Sequence, residues 1–254
     1  MNELIRIENI SKYITLRKGL FNSVHTENIV SNINLVLNMG ETVSIVGQSG
    51  AGKTTLAKII ARIMEPSSGK IFYRGKNVLN ISKQKFQRKV QMIFQDPYST
   101  LNPMMKIKTI LKEPLVINSI IGKNELDTKI YDSLSYVGLP ISVLDMYPHE
   151  LSGGQRQRVA IARTLSLEPE LLVCDEPLSS IDIENQKQII NVFKKLQSEN
   201  ISFLLIAHDL TLVKELSDYI AIMLNGKIVE FGPADKIYTE PKHQYTKELV
   251  AINN

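Results

Sequence analysis

Gly47-Gln48-Ser49-Gly50-Ala51-Gly52-Lys53-Thr54-Thr55 is the stretch with the plainest chemistry. Its spacing, G-x-x-x-x-G-K-T, is that of a loop that wraps a phosphate chain. The glycines let backbone N–H groups face one anion with no Cβ in the way. A helix starting at Gly52-Lys53 adds the positive end of its dipole. On this reading Lys53 reaches the β- and γ-phosphates of a nucleotide and the Thr54 hydroxyl ligands Mg²⁺. The alternative is an ordinary glycine-rich turn, and the pattern arises by chance in about one chain in a hundred of this length. The apolar runs Thr42–Val46 before the loop and Leu56–Ala61 after it supply the strand and helix that the chemistry needs.

Two further stretches carry chemistry. Leu171-Leu172-Val173-Cys174-Asp175-Glu176 is an apolar strand ending in two acids. At the carboxyl end of a parallel strand beside the phosphate loop, Asp175 would support Mg²⁺ and Glu176 would act as general base on an attacking water; a solvated turn is the plainer reading. Leu151-Ser152-Gly153-Gly154-Gln155 opens a helix that continues through Leu167. Ser152 before two glycines at a helix start makes either a second anion site or a simple N-cap. Two phosphate-type sites in one chain are reconciled by a head-to-tail pair, in which the Ser-Gly-Gly of one chain closes over the ATP held by the other.

The elements that must position these residues follow from periodicity. Leu4–Ile10 and the alternating Ile29–Leu37 read as strands, and the polar segment Arg17–Asn28 between them as a loop. Thr42–Val46 is a strand and Lys53–Met64 a helix stopped by Pro66 and Gly69. Lys70–Tyr73 and Val90–Phe94 are short strands, with a hairpin-like turn at Arg74-Gly75-Lys76. From Asp96 to about Ser166, Pro97, Pro103, Pro114 and Pro140 interrupt a helical region, with Ile107–Leu111, Leu126–Val137 and Gln155–Leu167 its clearest helices. Then strands Leu171–Cys174, Phe203–Ala207, Tyr219–Leu224 and Lys227–Glu230 alternate with helices Ile183–Glu199 and Leu210–Leu216, the mark of a parallel sheet covered on both faces. The tail from Gly232 reads as one or two short helices. The chain divides into a core (1–95 and 167–231), an inserted helical subdomain (96–166) and a tail (232–254).

Composition bounds the rest. At 254 residues and 43% hydrophobic content the chain can bury one sizeable core. The longest apolar runs, near Phe203–Ala207 and Tyr219–Leu224, are strand-sized and too short to cross a bilayer. Charges in Met1–Arg6 argue against a signal peptide, so the chain is expected to stay in the cytoplasm. The single cysteine, Cys174, excludes an internal disulfide and is expected as a buried thiol. The net charge of +4 is dispersed, with no block of like charges, which is only weak evidence for a nucleic-acid face and is compatible with ATP, another anion or proximity to an anionic membrane surface.

The order and spacing of these stretches resemble the ATPase subunit of an ATP-binding-cassette transporter over nearly the full length. The resemblance implies a P-loop NTPase (RecA-like) α/β core, an N-terminal antiparallel β subdomain and an inserted helical signature subdomain. Leu151–Gln155 matches the family's signature sequence, so Ser152, Gly153, Gly154 and Gln155 are expected to act in trans on a partner's ATP. Gln95, after Gln91-Met92-Ile93-Phe94, is similar to the glutamine that contacts Mg²⁺ and water and senses the transmembrane partner. Ser179-Ser180-Ile181-Asp182 stands where the dimer-contacting loop lies, with Ser180 and Ile181 in place of the usual Ala and Leu and Asp182 kept. His208 is similar to the histidine that contacts the γ-phosphate, and Tyr13 to the aromatic that stacks on adenine. The cofactors implied are ATP and Mg²⁺. The partners implied are a second cassette (paralogue or self) in a head-to-tail dimer, transmembrane permease subunits at the cytoplasmic face of the membrane and, indirectly, an extracytoplasmic substrate-binding protein.

Within the family, Gln95–Pro103 and Tyr147-Pro148-His149-Glu150 resemble the oligopeptide, dipeptide and nickel importer group. So do Arg17-Lys18-Gly19-Leu20 and the tail Glu240–Thr246, with Gln244 where proline is usual. Many members continue beyond this point and some carry a cysteine cluster there; a chain ending at Asn254 stands nearer the short ATPases of nickel or metal-chelate importers. Met104, Met105, Ile107, Ile110 and Leu111 suit either a groove for a membrane-subunit helix or the subdomain core. His25, His149 and His243 are too scattered to make a metal site. The rival functions are a cassette acting on DNA or the ribosome, which predicts a basic stripe, a coiled coil or two cassettes, and a soluble assembly factor or regulator.

Overall fold

Buried aliphatic runs and the turns between them set the element order. The computed structural model describes residues 2–18, 23–118, 122, 125–179, 181–208 and 210–252. The chain runs β1 (Glu3–Lys18), β2 (Ser23–Asn38), β3 (Thr42–Val46), α1 (Lys53–Ile60), β4 (Ser68–Tyr73), β5 (Lys76–Asn77), α2 (Lys83–Lys89), β6 (Val90–Ile93) and α3 (Pro97–Thr100). It continues through α4 (Ile107–Ile117), α5 (Leu126–Tyr136), α6 (Gly153–Leu165), β7 (Leu171–Asp175), α7 (Ile183–Ser198) and β8 (Ser202–Ala207). It ends with α8 (Leu210–Lys214), β9 (Tyr219–Leu224), β10 (Lys227–Pro233), α9 (Ala234–Thr239) and α10 (Gln244–Ile252). Two compact units result, Met1–Gln87 with Ser202–Asn254, and Arg88–Ile201.

The first unit holds two sheets. One has the order β2-β1-β4-β5, all antiparallel. The other runs β10-β9-β3-β8, with β3 parallel to both neighbours and β10 antiparallel to β9. Every residue of β3 and β8 is buried, as a strand covered on both faces requires. Val46, Ala207, Ile220 and Ile222 pack with Leu210, Ala234 and Val250, so α8, α9 and α10 cover one face of this sheet. The Arg74-Gly75 turn is present: Tyr73 pairs with Lys76, and both turn residues have positive φ (49° and 74°).

Three expectations in this unit need correction. Arg17–Asn28 is no loop up to Lys18 or from Ser23: the two strands stay paired out to Lys18 opposite Ser23. Tyr13 and Ile14 are exposed on this ribbon, so it lacks the apolar/polar alternation of a half-buried strand, and cross-strand hydrogen bonds hold it instead. Gly19 and Leu20 lie outside the described residues. The helix α1 stops at Ile60, short of Met64, because Arg62 turns left-handed (φ 53°) and the N–H groups of Ile63 and Met64 both return to the Lys58 carbonyl. The short helix α2 was not anticipated; its Phe86 is fully buried, edge-on to Tyr73.

The second unit pairs β6 with β7 in parallel, from Val90 opposite Leu171 to Ile93 opposite Cys174. Around them lie α3 to α7. Pro114 does not interrupt α4 but sits inside it, where the buried stripe Ile107, Ile110, Leu111 and Leu115 holds the helix. Those first three residues are therefore core, whereas Met104 is exposed. Cys174 is a fully buried free thiol, its pKa pushed up by desolvation. Among the described residues, no helix is long and apolar enough to cross a membrane.

Candidate functional site

In the first unit the phosphate-loop stretch connects β3 to α1. Its outer glycines are there for different reasons. A Cβ on Gly47 would stand 2.1 Å from the Met223 carbonyl oxygen of β9. Gly52 has φ 97°, and its Cβ would meet the Ile29 carbonyl of β2 at 2.4 Å. The loop is thus pressed onto two strands, and the Gly226 N–H, in the β9–β10 turn, donates to the Ala51 carbonyl at 3.1 Å. Gln48, Ser49 and Gly50 face outward, Ala51 and Gly52 are buried, and Thr54 and Thr55 are half-buried at the start of α1. Lys53 is 5% exposed, and its Nζ donates to the carbonyls of Gly47 (2.6 Å) and Gln48 (2.9 Å).

Two more expected residues lie by this loop. Ala207 pairs with Val46, so the exposed His208 follows β8 at the level of Gly47. Tyr13 pairs with Asn28, the residue before the Ile29 that touches Gly52. Tyr13 is 46% exposed. Among the residues missed from sequence is Tyr245 of α10, whose hydroxyl accepts the Gln48 N–H at 2.8 Å. The two stand 197 positions apart in the chain, so no local pattern announces the contact.

In the second unit the parallel register brings the other groups together. With Ile93 opposite Cys174, Gln95 falls level with Glu176, and Gln95 Nε2 donates to Glu176 Oε2 at 2.8 Å. Asp175 is 4% exposed at the end of β7. Glu176 is held in the left-handed region at φ 45°, a conformation that costs a residue with a side chain about 1–3 kcal/mol. Its carbonyl accepts both the N–H and the hydroxyl of Ser179, closing the turn that follows.

The Ser152 hydroxyl accepts the Gln155 N–H at 3.2 Å, and Gln155 Oε1 accepts the Ser152 N–H at 2.9 Å, a reciprocal capping box at the start of α6. Nothing stands within 4 Å of the position of a Gly153 Cβ, whereas a Cβ on Gly154 would lie 2.3–2.6 Å from the side chain of Asn185. Asp182 caps α7: its two carboxylate oxygens accept the Asn185 N–H (3.0 Å) and Nδ2 (2.8 Å). These bonds from the Asn185 backbone and side chain hold the Asp182 carboxyl below its usual range. Asn185 therefore joins the signature helix to the Asp182 loop, a role that sequence reasoning missed. Ser180 lies outside the described residues.

A glycine-rich loop seated between a parallel strand and a helix, with a strand-end acid pair in the second unit, defines a P-loop NTPase fold with an antiparallel β subdomain. A family model described as "ABC transporter" matches residues 30–179. The chain is 39% identical over 254 residues to the oligopeptide transport ATP-binding protein AppF of Bacillus subtilis (strain 168), covering 98% of this chain and 77% of that protein. It is 40% identical over 252 residues to the dipeptide transport ATP-binding protein DppF of Haemophilus influenzae, with 98% and 77% covered. To OppF of Lactococcus lactis subsp. lactis it is 42% identical over 257 residues, with 99% and 80% covered. Among solved structures, the dimeric post-hydrolysis state of the ATP-binding cassette MJ0796 bound to ADP and Pi superposes with a TM-score of 0.80 at 25% identity, covering 91% of this chain and 99% of that one. The chain belongs to the ABC transporter family, and its fold is that of an ATP-binding cassette.

Proposed function

We propose that this chain is the ATP-hydrolysing subunit of a membrane importer for oligopeptides or dipeptides. The seating of the phosphate loop carries the reading: Gly47 and Gly52 press onto strand carbonyls, and Lys53 is folded over the loop. Lys53, Thr54, Thr55 and the loop N–H groups of Ser49 to Gly52 take the phosphates of ATP, and Tyr13 offers its ring to the adenine. Thr54 of the first unit, and Asp175 and Gln95 of the second, are the residues that would hold a metal, each through an oxygen, the donor type that Mg²⁺ prefers. When bound, that ion neutralises charge on the phosphates. Glu176 accepts the proton of the attacking water, Gln95 fixes its carboxylate through Oε2, and His208 contacts the γ-phosphate.

Ser152, Gly153, Gly154, Gln155 and Asp182 act on the ATP of a second cassette, a paralogue or another copy, in a head-to-tail dimer. Binding of ATP favours the closed dimer and ADP favours it less, which is what converts hydrolysis into motion. Residues 96–166 pass that motion to transmembrane permease subunits at the cytoplasmic face, and a substrate-binding protein is engaged only through them. The relatives' names, oligopeptide and dipeptide transport, favour peptides over nickel as cargo.

Glu176→Gln tests the chemistry. Steady-state hydrolysis is expected to fall about 10²–10⁴-fold while ATP binding persists and an ATP-dependent dimer accumulates on size exclusion. Undiminished turnover would refute the general-base assignment. Capture of a multi-span permease by the tagged chain supports import, and capture of ribosomes or nucleic acid would refute it.

A further inference from the structure

The phosphate loop is tied to the C-terminal helix. The Gln48 N–H donates to Tyr245 Oη at 2.8 Å, and the Gln48 carbonyl accepts from Lys53 Nζ at 2.9 Å. Both main-chain polar groups of one exposed loop residue are thus engaged, one by α10 and one by the lysine ammonium. The preceding carbonyl, that of Gly47, also accepts from Lys53. Any shift of the Gln48 peptide therefore moves the acceptors that hold Lys53.

Tyr245 is well placed to resist such a shift. Its ring packs against the buried cluster that contains Val46, the last residue of the strand leading into the loop. The turn before α10 is fixed independently. The Glu230 carboxylate of β10 accepts the N–H groups of Lys242 (2.9 Å) and His243 (2.8 Å), and His243 Nδ1 accepts the Tyr245 N–H at 3.2 Å. A continuous series of bonds runs from β10 through this turn and the tyrosine ring to the phosphate loop, all within one unit.

We propose that Tyr245 is a positioning residue of the nucleotide site. By holding the Gln48 N–H it sets the loop conformation in which Lys53 meets the phosphates, and it makes the seat of α10 a part of that site. The proposal rests on the nucleotide-binding reading above. Its consequence is reciprocal: if seating α10 tightens nucleotide binding, nucleotide must tighten the seat of α10 by the same factor. The tail then offers a place at which ATP affinity is tuned from outside the site.

Tyr245→Phe removes the hydroxyl and keeps the packed ring. The Kd for ATP and for ADP, and the KM for ATP, are expected to rise about two- to tenfold, the range a single net hydrogen bond supplies, with kcat little changed. In hydrogen-exchange measurements, ADP should slow exchange of residues 244–252 in the wild-type chain and slow it less in the variant. Tyr238→Phe is the control: its hydroxyl donates to the Leu210 carbonyl in the same C-terminal segment, so it should leave Kd unchanged. Equal affinities for wild type and Tyr245→Phe, an equal loss in Tyr238→Phe, or exchange of α10 indifferent to ADP would each overturn the proposal. Failure of the wild-type chain to bind nucleotide would instead overturn the functional reading itself.

Discussion

Replacing Glu176 separates what its backbone costs from what its carboxylate does. The residue sits at φ 45°, where a Cβ crowds the following carbonyl and glycine does not. Glu176→Gly and Glu176→Ala both lose the 2.8 Å bond from Gln95 Nε2, so that loss cancels between them. What remains is the left-handed penalty of about 1–3 kcal/mol on alanine, set against the unfolded-state entropy that favours alanine by about 0.5–1 kcal/mol, a net of about 1 kcal/mol in favour of glycine. In a chain of 254 residues that difference moves the melting temperature by about 2–4 °C. Differential scanning calorimetry without nucleotide is the direct measurement, and both variants should be inactive in hydrolysis. Elsewhere in a chain alanine is the more stabilising of the pair by about 0.5–1 kcal/mol, through its smaller unfolded-state entropy. A glycine variant that melts at or below the alanine variant would therefore refute the strained conformation. The expected order places a local strain at the residue assigned as base, which is where strain is tolerated when function needs a fixed geometry.

Two other outcomes follow from the second unit. Gly154→Ala drives a Cβ to within 2.3–2.6 Å of the Asn185 side chain, Cβ included, so rotation of the asparagine cannot relieve it. Overpacking of this kind costs about 1–3 kcal/mol, read as a lowered denaturation midpoint; in an Asn185→Gly background, which itself loses the Nδ2 bond to Asp182, Gly154→Ala should cost much less, whereas an equal cost in both backgrounds would show the contact to be absent. The Asp182 carboxyl is held below its ordinary value by the Asn185 N–H and side-chain amide, so its contribution to stability is fully present above the unfolded value near 3.8 and is lost as pH falls through the lower folded value. Asn185→Ala keeps the N–H bond to Asp182 and removes only the side-chain amide bond, so it should partly flatten the acid limb of the melting-temperature profile below about pH 4, and an unchanged limb would count against the side-chain part of this cap.

Local pattern was enough for the parts of this protein that are local. The phosphate loop declares itself because four residues at fixed spacing, Gly47, Gly52, Lys53 and Thr54, do the work there, and it is flanked by the apolar runs Thr42–Val46 and Leu56–Ala61. The strand that ends in Asp175, with Glu176 after it, is legible for the same reason: a near-continuous apolar run is what a strand buried on both faces of a parallel sheet requires. The helix cap at Ser152 is legible too, since a cap reaches only three residues forward, whereas Asp182 was read from sequence only as part of the dimer-contacting loop and its capping of α7 came from the structure. The arm of β1 and β2 at residues 13–18 and 23–28 could not, because Tyr13 and Ile14, on opposite faces, are both exposed, so the ribbon lacks a buried face there and cross-strand pairing makes it a strand.

Tertiary structure decided the rest. Gln95 and Glu176 meet because β6 and β7 pair in one particular register, which no local signal encodes. Gly47 and Gly52 are glycines for the carbonyls of Met223 and Ile29 as much as for a phosphate, and those carbonyls come from strands far away in the chain. Tyr245 reaches Gln48 across 197 positions. In each case the deciding quantity is a distance of 2–3 Å between segments that only the packed sheets bring together. Composition and spacing are sums over neighbours in sequence and contain no such term, so the chemistry of the loop was determined by the sequence, and the support that holds it in working shape was determined by the fold.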